Sequence, residues 1–154
     1  MKITICGSIA FYQEMENLKK SLENIGHEVF IPLLENEAPQ DMGGGKTIYF
    51  GKYIEENGGM KSFSLDDRIW DLKAKAISDH YKKIEWCDAI LVVNYEKKGI
   101  VGYIGGNTLI EMGVAFYLNK PIYILNQVSS EISYTQEIYG MKPIFINGDI
   151  NKIS

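Results

Sequence analysis

The sequence predicts an α/β protein of the doubly wound, flavodoxin- or Rossmann-like kind, with a five-stranded parallel sheet and helices on both faces. Three observations predict it. Short β-branched runs alternate along the chain with segments of helical periodicity, the pattern of βαβ units. The run DAILVVNY (88–95) is apolar through its centre, as a parallel strand covered on both faces must be. Hydrophobic residues make up 45% of the 154, enough for one core and, at this length, one domain.

The elements follow in order. KITICG (2–7) is β-branched and apolar and ends in Gly7-Ser8, a strand running into a turn. Phe11, Met15, Leu18, Leu22 and Ile25 then recur at helical spacing, with Gly26 as the C-cap. HEVFIP (27–32) is a second strand, stopped by Pro32. Residues 33–65 break the pattern with Pro39, Gly43-Gly44-Gly45, Gly51 and Gly58-Gly59. Such a Gly-rich connection reads as a lid or dimer-contact excursion within a single domain spanning 1–154. Helical periodicity returns over 65–86, with Ile69, Leu72, Ala76, Ile77, His80 and Ile84 on one side and Ser64 or Asp66 as the cap. After the central strand come a Gly-rich loop (KKGIVGYIGG), a helix over 107–119 and a strand over 121–125. A polar stretch (126–136) and a last strand within 142–148 complete the chain.

Composition narrows the partners. A net charge of −4 leaves no basic excess for a nucleic-acid polymer. Two cysteines, Cys6 and Cys87, are too few for a disulfide framework and read as buried free thiols of a reducing compartment. The N-terminus lacks a signal peptide's apolar stretch, and no run approaches the roughly 20 residues of a membrane span. A cytoplasmic protein with no membrane partner is therefore expected. Gly45-Lys46-Thr47 looks like the end of a P-loop, but that pattern needs glycine at position 40, where Gln40 stands. His27 and His80 pair with no Cys or carboxylate at metal-ligand spacing, so neither a metal nor a cofactor is expected.

In such sheets ligands bind beyond the carboxyl ends of the strands. Gly7-Ser8-Ile9-Ala10 follows the first strand there, and Gly102 to Thr108 follows the central one and opens into a helix. A helix N-terminus attracts phosphate or carboxylate, and glycines admit a ligand to the backbone; a purely structural turn is the alternative. Glu111 falls four residues after Asn107. It is either a surface glutamate complementing the helix dipole or a carboxylate facing the anion site. Tyr12, Tyr95 and Tyr103 border this pocket, and Asn94 ends the central strand. His80, between Ile77 and Ile84, reads on spacing alone as a core histidine.

ICGSI at 5–9, DAILVVN, and a Gly-rich loop leading to IEMGVAFYLNKPIYIL together resemble the nucleoside 2-deoxyribosyltransferase superfamily. The branch closest in look contains the 2′-deoxynucleoside 5′-monophosphate N-glycosidases. The resemblance covers roughly 1–32 and 76–126. It implies cleavage or transfer at the N-glycosidic bond of a nucleoside or its 5′-monophosphate. Glu111, in Glu111-Met112-Gly113-Val114-Ala115, would be the nucleophile that forms a glycosyl-enzyme. Gly7, Ser8 and Ile9 would line the sugar and base site, joined by Tyr12 and Asn94. Gly105, Gly106, Asn107 and Thr108 would hold the sugar 5′ end or its phosphate. The place of the family's aspartate on the preceding helix falls on His80, with Asp79 one residue off and about 100° around the helix, so either the register shifts by one or a histidine replaces the acid. A histidine there is able to protonate the leaving base near neutral pH. The resemblance also implies a small-molecule partner and a homodimer or larger assembly. The rival readings are a non-catalytic nucleotide sensor on the same fold and a flavodoxin-like carrier, for which the sequence has no flavin-specific feature.

Overall fold

Alternation in KITICG builds β1 (Lys2–Gly7) and sends its side chains to opposite layers. Ile3 and Ile5 pack with Phe11, Met15 and Leu22, whereas Cys6 packs with Ile84, Met112 and Ala115 on the other face. A 3₁₀ turn (Ile9–Phe11) capped by the Ser8 side chain leads into α1 (Tyr12–Asn24). Met15 and Leu22 of the predicted stripe are fully buried. Ile25, expected as its last member, lies past the helix end and is exposed. Gly26, at φ 93°, turns the chain into β2 (Glu28–Phe30), which pairs parallel with β1.

The computed structural model describes residues 1–32, 40, 41, 47, 48, 54 and 56–154. Pro39, the Gly43–Gly45 run, Lys46 and Gly51 lie outside them, so the lid or dimer-contact reading of the excursion and most of the P-loop look-alike do as well. The chain divides into two compact units, Met1–Pro32 with Tyr81–Ser154, and Leu33–His80. The second of these units runs from Leu33 on to His80, beyond the 33–65 stretch that the sequence marks as an excursion. One helix, α2 (Ile69–Trp86), carries the boundary, since i→i−4 bonding continues regardless of which unit a turn packs in.

The second unit holds a short antiparallel pair, β3 (Gln40–Asp41) and β4 (Thr47–Ile48), a 3₁₀ turn (Met60–Ser62) and the first turns of α2. Asp67, rather than the predicted Ser64 or Asp66, accepts from the Ile69 N–H at 2.9 Å where α2 begins. Ser64 instead donates to Asp66 at 2.6 Å, so those two side chains engage each other.

The first unit carries the sheet. β5 (Ala89–Val93), β6 (Ile122–Ile124) and β7 (Ile144–Phe145) join β1 and β2 in the order β2-β1-β5-β6-β7, every pairing parallel. With the hairpin strands left out of the count this is the 2-1-3-4-5 order of flavodoxin-like sheets. All five predicted strands form, each shorter than its apolar run except the first. α1 covers one face. The end of α2, α3 (Gly106–Tyr117) and α4 (Thr135–Gly140) cover the other through Ile84, Met112, Ala115 and Ile138. The stretch read as polar over 126–136 conceals Val128 and Ile132, both buried, and runs into α4, too short for its periodicity to register. Among the described residues, no helix is long and apolar enough to cross a membrane.

Gly102 shows how tightly the loops at this edge are set. Its φ is 71°, and a Cβ there would lie 2.0 Å from the Gln127 carbonyl oxygen. Gly102→Ala is expected to destabilise the protein by roughly 1–3 kcal/mol in denaturant unfolding. Gly113→Ala, in a helix interior with open space around the new methyl, should stabilise it by about 0.5–1 kcal/mol. Equal effects at the two positions would contradict this account of the loop.

Candidate active site

The chain leaves β1 for β2 on one side and reaches β5 on the other, so the sheet's switch point lies between β1 and β5. Gly7 and Val93 are register partners at its edge. A side chain on Gly7 would meet Met15 Cε at 2.8 Å and the Val93 carbonyl oxygen at 2.9 Å, so packing alone requires glycine there. Beyond it, Ser8 caps the 3₁₀ turn and receives a second contact, as Lys97 Nζ donates to Ser8 Oγ at 2.6 Å.

Lys97 is held in place by a tight hairpin. Its N–H and C=O bond to those of Ile100, both at 3.1 Å, across Lys98 and Gly99 at φ 55° and 79°. Two consecutive positive φ angles match a type I′ turn. The ammonium also sits 5.4 Å from the centre of the Tyr103 ring. Among the described residues, no carboxylate pairs with Lys97. A half-buried cation on a serine, at the carboxyl edge of the sheet, is an arrangement suited to an anion.

The predicted binding residues have different surroundings. Ile9 is exposed and Tyr12 half-buried. Tyr95 packs edge-on against Phe11, with ring centres 5.7 Å apart. Asn94 is fully buried, and its amide is committed to the backbone: it donates to the Asn126 carbonyl at 2.9 Å and accepts from the Asn126 N–H at 2.8 Å. It clamps the exits of β5 and β6 together. Gly105 stands at the N-cap of α3 and, as a glycine, offers the first-turn N–H groups no side-chain acceptor. Gly106 and Asn107 are exposed and Thr108 is buried. Tyr134 secures this loop by donating from its hydroxyl to the Ile104 carbonyl.

Glu111 shares a stripe of α3 with the buried Thr108, Met112 and Ala115, at helical spacings of three, one and three. That stripe faces the side of the sheet to which β1 sends Cys6. The Cys6 sulfur lies within 4.8 Å of a Glu111 carboxylate oxygen. Burial, then the Glu111 charge, pushes the Cys6 thiol well above the ordinary thiol range, so it stays protonated. Tyr81 is raised for the same two reasons, burial first and then Glu111. The Glu111 carboxylate thus lies beside Cys6 with one oxygen buried.

Asp79 and His80 belong to the second unit. Asp79 is ion-paired to Lys75 one turn back, at 2.6 Å, whereas His80 is buried. The one-residue step thus separates a surface pair from an interior side.

Cys6, Tyr81 and Lys97 were not singled out from the sequence as site residues. Strand parity was the available signal for Cys6, since it projects opposite to Ile5 and toward the helix that carries Glu111. Lys98-Gly99 was the signal for the turn that presents Lys97.

A five-stranded parallel sheet in this order, with helices on both faces, defines a flavodoxin-like α/β protein. Among solved structures it is similar to the 2-deoxyribosyltransferase of Bacillus psychrosaccharolyticus, with a TM-score of 0.56 and 14% identity over 88% of this chain and 79% of that one. It is also similar to the CMP N-glycosidase of Clostridium botulinum, with a TM-score of 0.50 and 15% identity over 95% of this chain and 88% of that one. At these identities the likeness is one of fold. No family model matches the sequence, and neither does any curated protein.

Proposed function

We propose that this protein is a member of the nucleoside 2-deoxyribosyltransferase superfamily that cleaves or transfers at the N-glycosidic bond of a small nucleotide, with Glu111 as nucleophile. The observation that carries the reading is the orientation of Glu111. It is turned inward on α3 against Cys6, one residue from the Gly7-Ser8 turn, on the chain's match to the family's glutamate motif. The carboxylate attacks the anomeric carbon, the C1′–N bond breaks with its electron pair leaving on the base, and the base takes up a proton. Water or a second base then displaces Glu111 from the glycosyl-enzyme. The resemblance gives the proton transfer to His80 or Asp79. Of these, Asp79 is engaged by Lys75, which favours the histidine.

The Lys97–Ser8 pair supports a 5′-monophosphate over an uncharged nucleoside, because a phosphomonoester supplies an anion that no described carboxylate offers the ammonium. Gly105, Gly106, Asn107 and Thr108 would add backbone and hydroxyl donors, and Gly7, Ile9 and Tyr12 the walls of the sugar and base site. No cofactor is required by this chemistry. Incubation with a panel of nucleosides and their 5′-monophosphates, with free base as the readout, tests the reading; no base from any of them would reject it. A histidine at 80, where the resemblance expects an acid unless the register shifts to Asp79, is what favours the second reading, a nucleotide-binding sensor without catalysis. That reading expects a bound nucleotide recovered intact.

The same reading includes a homodimer. Ile110, Phe116 and Tyr117 on α3 are 45%, 52% and 83% exposed, an apolar patch on the helix that carries Glu111. Light scattering at micromolar concentration is expected to give a dimer's mass, and a monomer's mass would remove this part of the proposal.

A further inference from the structure

Cys6 is a fully buried residue next to the candidate nucleophile, and the chemistry above gives it no task. Cys6 projects from β1 onto the helix-covered face of the sheet, among Ile84, Met112 and Ala115. Its sulfur lies within 4.8 Å of a Glu111 carboxylate oxygen, and the thiol is the group beside it with a hydrogen to give. One carboxylate oxygen of Glu111 is buried. We propose that Cys6 is a positioning residue for Glu111, its thiol hydrogen bond fixing the carboxylate's rotamer so that the attacking oxygen is aimed at the anomeric carbon. This rests on the reading of Glu111 as nucleophile.

The physical case turns on donor strength. A carboxylate on a long side chain has three torsions to hold, and an error of about 1 Å in a reacting atom costs on the order of 100-fold in rate. A strong donor would hold it but would also stabilise the charged form and blunt its attack. A thiol is a weak donor and packs as a small apolar group, so it orients the carboxylate at little loss of nucleophilicity. It does so only while protonated. Burial, and after it the neighbouring charge of Glu111, keep it so. Cys87 donates its own hydrogen to the Ile84 carbonyl at 3.2 Å and is not available for the task.

The test compares the full-length wild type with Cys6→Ala, Cys6→Ser and Glu111→Gln. The first readout is the infrared S–H stretching band, which is independent of turnover; Cys6→Ala identifies which of the two thiol bands belongs to Cys6. That band is expected to shift in Glu111→Gln, where a neutral amide replaces the charged acceptor. The second readout is steady-state base release. Cys6→Ala should lower kcat about tenfold with KM within about twofold, and Cys6→Ser, which restores a donor but a stronger one, should recover only part of it. A purely structural role predicts loss of melting temperature without this split or this rescue. An unshifted band in Glu111→Gln, or Cys6→Ala at the full wild-type kcat, overturns the proposal while leaving Glu111 as nucleophile. A wild type that releases no base, with the band shift present, overturns the nucleophile reading and the positioning role with it.

Discussion

Glu111→Gln is expected to lower base release by about three or more powers of ten, with the unfolding midpoint close to wild type. Glutamine keeps the shape and hydrogen-bonding capacity of the side chain but cannot form the ester to the anomeric carbon, and loss of a covalent nucleophile typically costs that much. The fold should survive because the neighbouring Thr108, Met112 and Ala115 supply the packing of α3, and Cys6 still finds an acceptor in the amide oxygen. A variant that turns over at the wild-type rate would remove Glu111 from the chemistry. A variant that fails to fold would show that the carboxylate serves stability, which its partial burial beside a neutral thiol argues against.

The second large effect falls on Lys97. Lys97→Met keeps the stem of the side chain and removes the ammonium that meets Ser8. A hydrogen bond to a charged group is worth about 1.5–3 kcal/mol, so KM for a 5′-monophosphate should rise roughly 10- to 100-fold, with kcat changed much less. A nucleoside lacking the phosphate should be handled alike by both proteins. Salt dependence of KM should weaken in the variant for the same reason. An equal loss on nucleoside and nucleotide would mean that Lys97 only braces the loop through Ser8 and Tyr103.

Much of the fold was legible because its signals are local. β5 is an uninterrupted apolar run, which only a doubly covered strand tolerates, and the stripe of α1 repeats at helical spacing to Leu22. α4 was not, since six residues hold fewer than two turns. The division of the chain inside α2 was also hidden, because nothing in a helical pattern marks where one packing environment gives way to another.

The candidate site was legible in proportion to how far its residues depend on motif rather than on tertiary contact. Glu111 and the Gly7-Ser8 turn stand in recognisable surroundings. Asn94 was read as a ligand contact from its place at a strand end, but which way an amide turns is decided by the loop beside it, here the Asn126 backbone. Lys97 and Cys6 meet Ser8 and Glu111 from 89 and 105 residues away in sequence, and no local pattern encodes such pairs.

The most direct measurement is mass spectrometry of the wild-type protein quenched during turnover of a nucleoside 5′-monophosphate, followed by peptide mapping. The account predicts free base in solution and a sugar-phosphate adduct on the peptide that carries Glu111. Base release with the adduct on another residue, or intact nucleotide bound with no base released, would contradict it.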